Sequence, residues 1–294
     1  MSNDKLELAK KRKKDEFYTR YEDIEKEVSH YKQYFKGKVV YTNCDDPLIS
    51  NFYKFFKDNF KEYGLKRLIC TYLGGNVFYY DGTTEITDLP LYGDCSGSYD
   101  CYQWFIDRCD VIVTNPPFSV FRDYYEKIHK KDFLIIGNQS VFKSEVIFRD
   151  IWSGRARLGY NAVKWYIAGE DMENVTKGEF VHIGAGVWLT SFPVERPFFK
   201  CADKEVVLEE YDNYYAVNVD SEKDIPASYD GVMGVPISFL QKLNTDQFEL
   251  LGVSSKACGA HLAKDNVTKF EPWLHGKAKF ARIFIKKLQK GFTN

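Results

Sequence analysis

The sequence predicts an α/β fold, a mostly parallel sheet with helices on both faces, and three observations carry that expectation. Apolar runs of strand length alternate with stretches of helical period along the first half of the chain. A length of 294 residues with 44% hydrophobic content is enough to bury a sizeable core, in one large domain or two modest ones. One strand-like run, DVIVT at 110–114, is followed by Asn115 and then Pro116-Pro117. A proline pair removes ladder donors and fixes φ, so the strand must stop there. In an open α/β sheet that edge is where ligands bind, which makes the stop a candidate site.

The elements follow in order. Residues 1–14 are charged and carry the basic run Lys10 to Lys14; they read either as a solvated face or as an arm that contacts phosphate. Ile24, Val28, Tyr31 and Phe35 recur at helical spacing up to Gly37, which predicts an amphipathic helix. KVVYTNCDDP is an apolar strand running into acidic turn residues, and SNFYKFFKDNF is a helix with Ser50 or Asn51 as its N-cap. LKRLICTYL gives a second strand. Where a crossover helix would come next, NVFYYDGTTEITDL alternates and contains Asp81-Gly82, so a hairpin with a two-residue turn is expected in its place. LYGDCSG is a short third edge, YDCYQWFIDRC a helix, and DVIVT the strand before the prolines. FSVFRDYYEKIHK is then a helix presenting Val120, Tyr124 and Ile128, and FLIIGNQS another strand.

Beyond about Ser140 the text changes. SEVIFRDIWSGRARLGYNAVKWY mixes a helix with the basic residues Arg149, Arg155, Arg157 and Lys164, and FVHIGAGVWLTSF reads as a buried strand. Residues 201–230 hold nine acidic side chains and two basic ones, a poor match to a phosphate backbone. Pro236 is placed to start a helix, and FELLGV and KFARIFIKK are late strands. Lys264 to Lys290 carries eight Lys or Arg against two acids, which makes it a candidate for phosphate contacts.

The formal net charge is −1, so any nucleic-acid partner must be met by local patches. The 21 Tyr and 23 Phe serve a core or base-stacking surfaces. Seven cysteines without a CxxC pair and five scattered histidines do not resemble zinc-ligand spacing, so no metal is expected and reduced thiols fit best. The first residues lack an apolar segment of signal-peptide type and no run reaches the length of a membrane span, so a soluble cytoplasmic protein is expected.

The Asn-Pro-Pro-aromatic tip has a specific chemical use. The exocyclic amine of adenine is a poor nucleophile because its lone pair is delocalised into the ring. The Asn115 side-chain oxygen and the Pro116 carbonyl offer two acceptors for the amine hydrogens and leave the lone pair aimed at a methyl donor. Phe118 can stack on the base, and Pro117 stiffens the mount. NCDDP, residues 43–47, reads either as an acidic turn or as a place where a carboxylate meets the amino and hydroxyl groups of a cofactor. S-adenosyl-L-methionine is such a cofactor. No GxG follows the first strand and no GxxxxGK[ST] occurs, so neither a dinucleotide fingerprint nor an NTPase loop is present.

TNPPF after a strand resembles the catalytic motif of amino-group methyltransferases, and the wider text narrows the likeness. DEFYTRYEDIEKEVSHYKQYFKGKVVYTNCDDPLISNFYKFF resembles the start of the EcoRI-type adenine-specific DNA methyltransferase family. FLIIGNQS, YDNYYAVNV, DIPASYDGVMGVPISFL and ARIFIKK resemble its later blocks in the same order. The resemblance implies a Rossmann-like class I S-adenosyl-L-methionine-dependent sheet with a smaller target-recognition region. It divides the chain into a basic arm with a cofactor motif at 1–20, a catalytic domain at 21–190, and a target-recognition region with the C-terminal strands at 191–294. By position, Asn115, Pro116, Pro117 and Phe118 become the catalytic tip. Phe17, Tyr18 and Thr19 become the N-terminal cofactor motif. Asn43, Cys44, Asp45, Asp46 and Pro47 become the first cofactor loop, and Asp94 the position facing the cofactor adenine. CTYLGG offers no acid for the cofactor ribose, which leaves that contact unassigned.

The expected function is transfer of a methyl group from S-adenosyl-L-methionine to N6 of a flipped adenine in double-stranded DNA. Lys11, Arg12, Lys13, Lys14, Arg149, Arg155 and Arg157 are the expected DNA contacts. A cognate restriction endonuclease is a possible partner, and the protein is expected to be a monomer or weak dimer away from membranes. Two other readings stand beside this one. The same tip can serve RNA or a protein glutamine amide, which also present a planar NH2, or the fold can hold DNA or cofactor without catalysis.

Overall fold

The computed structural model describes residues 17–44, 46–71, 76–89, 99–169, 176–265 and 267–288, and they divide into two compact units. The apolar runs make the centre of the first unit. β1 is Phe17–Thr19, α1 Tyr21–Val28, β2 Val39–Asn43, α2 Asn51–Asp58, β3 Arg67–Thr71, β4 Val77–Tyr80, β5 Glu85–Leu89, α3 Tyr99–Arg108, β6 Val111–Thr114, α4 Phe121–Ile128 and β7 Asp132–Asn138. Two long strands, β8 (Arg157–Ala168) and β9 (Phe180–Thr190), complete this unit. The sheet has nine strands in the order β1-β8-β9-β7-β6-β2-β3-β4-β5. β3, β2, β6 and β7 pair in parallel, as the alternation with helices requires. The flanking pairs are antiparallel: β4 and β5 on one side, β9, β8 and β1 on the other.

Several local expectations change in detail. The first helix is α-helical only through Val28 and then tightens into a 3-10 turn over Ser29–Tyr34. Ile24, Val28, Tyr31 and Phe35 are all buried, so the apolar stripe is kept. Gly37 ends the segment at φ +73°, a left-handed conformation that glycine adopts without a Cβ penalty. The hairpin β4–β5 is present, but its connection is the four residues 81–84. The Asp81 carboxylate builds it by accepting from the backbone N–H groups of Thr84 (2.8 Å) and Thr83 (2.9 Å), and these bonds hold its pKa below the usual carboxylate value. After the prolines, a 3-10 turn at Phe118–Val120 resets the phase of α4. Phe121, Tyr125 and Ile128 therefore form the buried face in place of Val120, Tyr124 and Ile128.

The text that mixed a helix with arginines divides at Gly154–Ala156. Glu145–Trp152 is helix α5, whereas Arg157–Ala168 is strand β8. Its pairing with β9 slips between Leu158 and Ala162 and again between Val163 and Trp165, which erases any simple alternation. Glu27, fully buried on α1, serves the first irregularity. Its carboxylate accepts from the backbone N–H of Tyr160 (2.8 Å) and Asn161 (2.8 Å), the Asn161 amide (2.8 Å) and the Tyr31 hydroxyl (2.9 Å). Four donors replace the water the carboxylate has lost. Gly159 makes room: a Cβ there would collide with Glu27 Oε1 and Trp188 Cβ.

The second unit takes in Phe142–Ala156, with α5, and the chain from Val194 onward. It holds β10 (Glu209–Glu210), β11 (Val217–Asn218), β12 (Met233–Pro236), β13 (Phe248–Val253), α6 (Lys256–Gly259), β14 (Trp273–Leu274), β15 (Lys277–Ala278) and β16 (Arg282–Lys287). Five strands form a sheet in the order β10-β11-β12-β16-β13, and β14–β15 is a separate hairpin. Pro236 caps a short 3-10 turn at Ile237–Gln241. Tyr211, Tyr214, Ala216, Leu274 and Phe284 share one buried cluster. The acidic stretch lies against the lysine-rich one: Lys264 pairs with Glu210 (2.9 Å), Lys279 and Arg282 with Asp220 (3.1 and 3.0 Å), and Lys287 with Asp230 (3.1 Å). No helix among the described residues is long and apolar enough to cross a membrane.

Glu27→Ala leaves the Tyr160 and Asn161 donors facing a cavity. The expected loss is about 3 kcal/mol of unfolding free energy, read as a lowered urea midpoint, against a near-zero effect for the exposed Glu62→Ala.

Candidate active site

The chain leaves β2 toward β3 on one side of the sheet, and leaves β6 toward β7 on the other. The order therefore reverses between β2 and β6, and the crevice beyond their carboxyl ends is where an open α/β sheet receives ligands. Both strand ends are polar and both are fixed. The Thr114 hydroxyl donates to the Asn43 carbonyl, tying β6 to β2, and the Tyr124 hydroxyl donates to Asn43 Oδ1 at 2.7 Å. Burial, the main cause, pushes the Tyr124 phenol well above its ordinary pKa, so it stays a neutral donor.

Beyond Asn43 the backbone turns sharply. Cys44 is half-buried at φ +79°, a rare conformation for a residue with a Cβ. The Asp46 carboxylate accepts from Leu48 N (2.9 Å) and its carbonyl from Ile49 N (3.0 Å) and Ser50 N (2.7 Å), so Asp46 shapes the entry into α2. Pro47 is buried in the same turn. Leu48 and Ile49 are exposed on its outer side.

At the end of β6, Asn115 is only 7% exposed, Pro116 is buried, and Pro117 and Phe118 are half-buried. Asn115 Nδ2 donates to the Phe17 carbonyl at 2.7 Å. A carbonyl can only accept, so this bond identifies the nitrogen and leaves Oδ1 as the other arm. Oδ1 is buried and has no hydrogen-bond partner among the described residues. Leaving such an atom unpaired costs about 1–3 kcal/mol, which makes this oxygen a candidate acceptor for a ligand donor. The Phe118 ring meets Tyr166 edge-on (centroids 6.2 Å apart, planes at 87°), and Tyr166 also packs on Phe17 at 6.3 Å. Tyr166 is fully buried, its hydroxyl has no partner among the described residues, and desolvation holds its phenol neutral. The hydroxyl occupies the space that a side chain at Gly186 would fill.

β1 links these parts. It is the edge strand, paired through Phe17↔Ala168 and Thr19↔Tyr166 with β8. Its outward carbonyls are both taken by carboxamides: Phe17 by Asn115, and Thr19 by Asn51 Nδ2 at 2.8 Å. Thr19 Oγ1 is a second buried oxygen without a partner among the described residues. The strand thus bridges from the start of α2 to the end of β6.

The structure brings together, in the first unit, Phe17, Tyr18, Thr19, Asn43, Cys44, Asp46, Pro47 and Asn115 to Phe118. Asp45, Asp94 and Lys11 to Lys14 lie outside the described residues. The three arginines do not form one set: Arg149 and Arg155 belong to the second unit and Arg157 opens β8 in the first. Arg149 is ion-paired with Glu145 at 2.5 Å. Sequence reasoning did not single out Thr114, Tyr124 or Tyr166 for the site, and it gave Asn51 only as a helix cap. No group of three or more His, Cys, Asp or Glu able to hold a metal occurs among the described residues.

The profile of the family described as "Adenine-specific methyltransferase EcoRI" matches residues 5–84 and 78–288. The chain is 36% identical to the type II methyltransferase M.EcoRI of Escherichia coli, over 98% of each chain. It is 35% identical to type II methyltransferase M.MpnI of Mycoplasma pneumoniae over 83% of each, and 30% identical to M.MgeORF184P of Mycoplasma genitalium over 96% of this chain and 98% of that one. No solved structure matches significantly.

Tyr124→Phe removes the donor to Asn43 Oδ1. A double-mutant cycle of Tyr124→Phe with Asn43→Ala, read by urea unfolding, is expected to give a coupling of about 1 kcal/mol.

Proposed function

The chain belongs to the EcoRI family of adenine-specific methyltransferases, and on that premise we propose that it transfers a methyl group from S-adenosyl-L-methionine to N6 of adenine in double-stranded DNA. The observation that carries the reading is the Asn115 side-chain oxygen, buried and unpartnered among the described residues at the carboxyl end of β6. A flipped adenine would give one amine hydrogen to this oxygen and the other to the Pro116 carbonyl, so the nitrogen lone pair is turned out of conjugation. As the amine takes the methyl, positive charge grows on N6, and two oxygens already in place favour it without reorganisation. The extra proton then leaves to solvent. Phe118 stacks on the base, a contribution of about 1–3 kcal/mol against the few kcal/mol needed to unstack it.

The cofactor would be held at the ends of β1 and β2, by Phe17, Tyr18, Thr19, Asn43, Cys44, Asp46 and Pro47, with Asp45 and Asp94 as further contacts. It supplies an electrophilic methyl carried on a sulfonium. The residues present suit such a group. Thr19 Oγ1 is a buried oxygen awaiting a donor, and the Asp46 carboxylate adds the negative charge a cationic donor favours. Lys11 to Lys14, Arg149, Arg155 and Arg157 are the proposed phosphate contacts, and the second unit is the proposed target-reading region. A restriction endonuclease acting on the same site is a partner this chemistry would serve, and the enzyme is proposed to act as a monomer or weak dimer.

The test is incubation of protein, labelled cofactor and DNA, with RNA and total protein as parallel substrates. Label is expected in adenine of DNA alone. Asn115→Ala is expected to cut transfer at least about 100-fold, the scale for losing one preorganised transition-state contact. Equal labelling by Asn115→Ala, or label in RNA or protein in place of DNA, refutes the assignment.

A further inference from the structure

An asparagine carboxamide is nearly symmetric in shape and wholly unsymmetric in chemistry. A half-turn about its last torsion exchanges an acceptor for a donor of two hydrogens. At the tip the difference is decisive, because the adenine amine also donates. The wrong rotamer would set Nδ2 against the amine, donor against donor. Neither Pro116 nor Pro117 has an N–H that could hold the amide, so the tip alone does not choose between the two rotamers.

We propose that the backbone carbonyl of Phe17 is the positioning group for Asn115: by accepting from Nδ2 it selects the rotamer in which Oδ1 faces the substrate. This rests on the functional reading above and adds to it a role for β1 in catalysis. The half-turned amide would put Oδ1 against the Phe17 oxygen, two acceptors in contact. The strand that carries this carbonyl is fixed independently of the tip. β8 pairs with it on one side, Asn51 holds the Thr19 carbonyl, and the Tyr166 ring packs on Phe17. The Asn115 amide is thereby turned before any substrate arrives, with its free oxygen buried and unused.

The arrangement requires one donor and one acceptor at position 115, and this separates asparagine from aspartate. An ionised aspartate has acceptors only and would face the Phe17 carbonyl with negative charge. A protonated aspartic acid has both functions. Asn115→Asp is therefore expected to transfer methyl poorly at neutral pH, and its activity as a ratio to wild type is expected to rise as pH falls, by up to about tenfold per unit while the acid is the minor form. Tyr124 and Tyr166 are held neutral by burial, and Asp23, whose charge acts on Tyr166, is with Asp46 and Cys44 common to both proteins, so they cancel in the ratio. A flat ratio, or one rising with pH, would mean that an acceptor suffices and would overturn the proposal while leaving the methyltransferase intact.

Denaturation gives a readout independent of turnover. The protonated acid is the form bonded in the folded state, so its folded pKa lies above the unfolded one. The stability it confers is present at low pH and lost as pH rises through the folded value. Asn115→Asp should be less stable than wild type at pH 7, with the gap closing on acidification; a gap independent of pH sinks the idea. If wild type labels no adenine, the functional reading fails, and the denaturation series still decides the orientation.

Discussion

The bond from the Thr114 hydroxyl to the Asn43 carbonyl ties together the two strand ends between which the sheet reverses its order. Everything proposed for the site hangs from these two strand ends. β2 delivers the Cys44 to Pro47 turn, β6 delivers the proline-stiffened tip, and the parallel pairing of the two strands sets their separation. β1 then runs between them, held by Asn51 at one end and Asn115 at the other. An edge strand ordinarily leaves its outer carbonyls to water or to a stray partner chain. Here two carboxamides occupy those carbonyls, and the edge of the sheet becomes part of the site.

Much of this was legible from local text. The four parallel strands are apolar runs bounded by turn residues, and the proline pair is a stop signal that needs no neighbour to interpret it. The tip was found for that reason. What stayed hidden depends on contacts remote in sequence. Glu27 sits in EDIEKEV, among residues that read as a solvated helix face, and only the slipped pairing of β8 explains its burial. The same slips conceal β8 itself. Tyr166 lies in that irregular strand, so no periodicity flags it, although it touches both Phe17 and Phe118. The phase of α4 is not legible in the sequence because the 3-10 turn after Pro117 advances three residues per turn, not 3.6.

Strand β8 also shows how one buried carboxylate shapes a site without belonging to it. Glu27 holds the irregular start of β8, and the regular end of the strand pairs with β1. Gly159 and Glu27 form a single steric unit: a larger residue at 159 would displace the carboxylate. Substitution at either position is felt through β8 at the strand beside the tip.

The pairing of acidic and basic stretches in the second unit bears on how the ionic atmosphere of DNA is felt. Salt weakens nucleic-acid binding because each cation that neutralises a phosphate sets free a condensed counterion. Lys264, Lys279, Arg282 and Lys287 already have carboxylate partners. A cation that stays with its carboxylate releases nothing when a duplex arrives. The logarithmic salt slope of this chain therefore counts only the remaining cations, and it should be shallower than the number of lysines and arginines suggests.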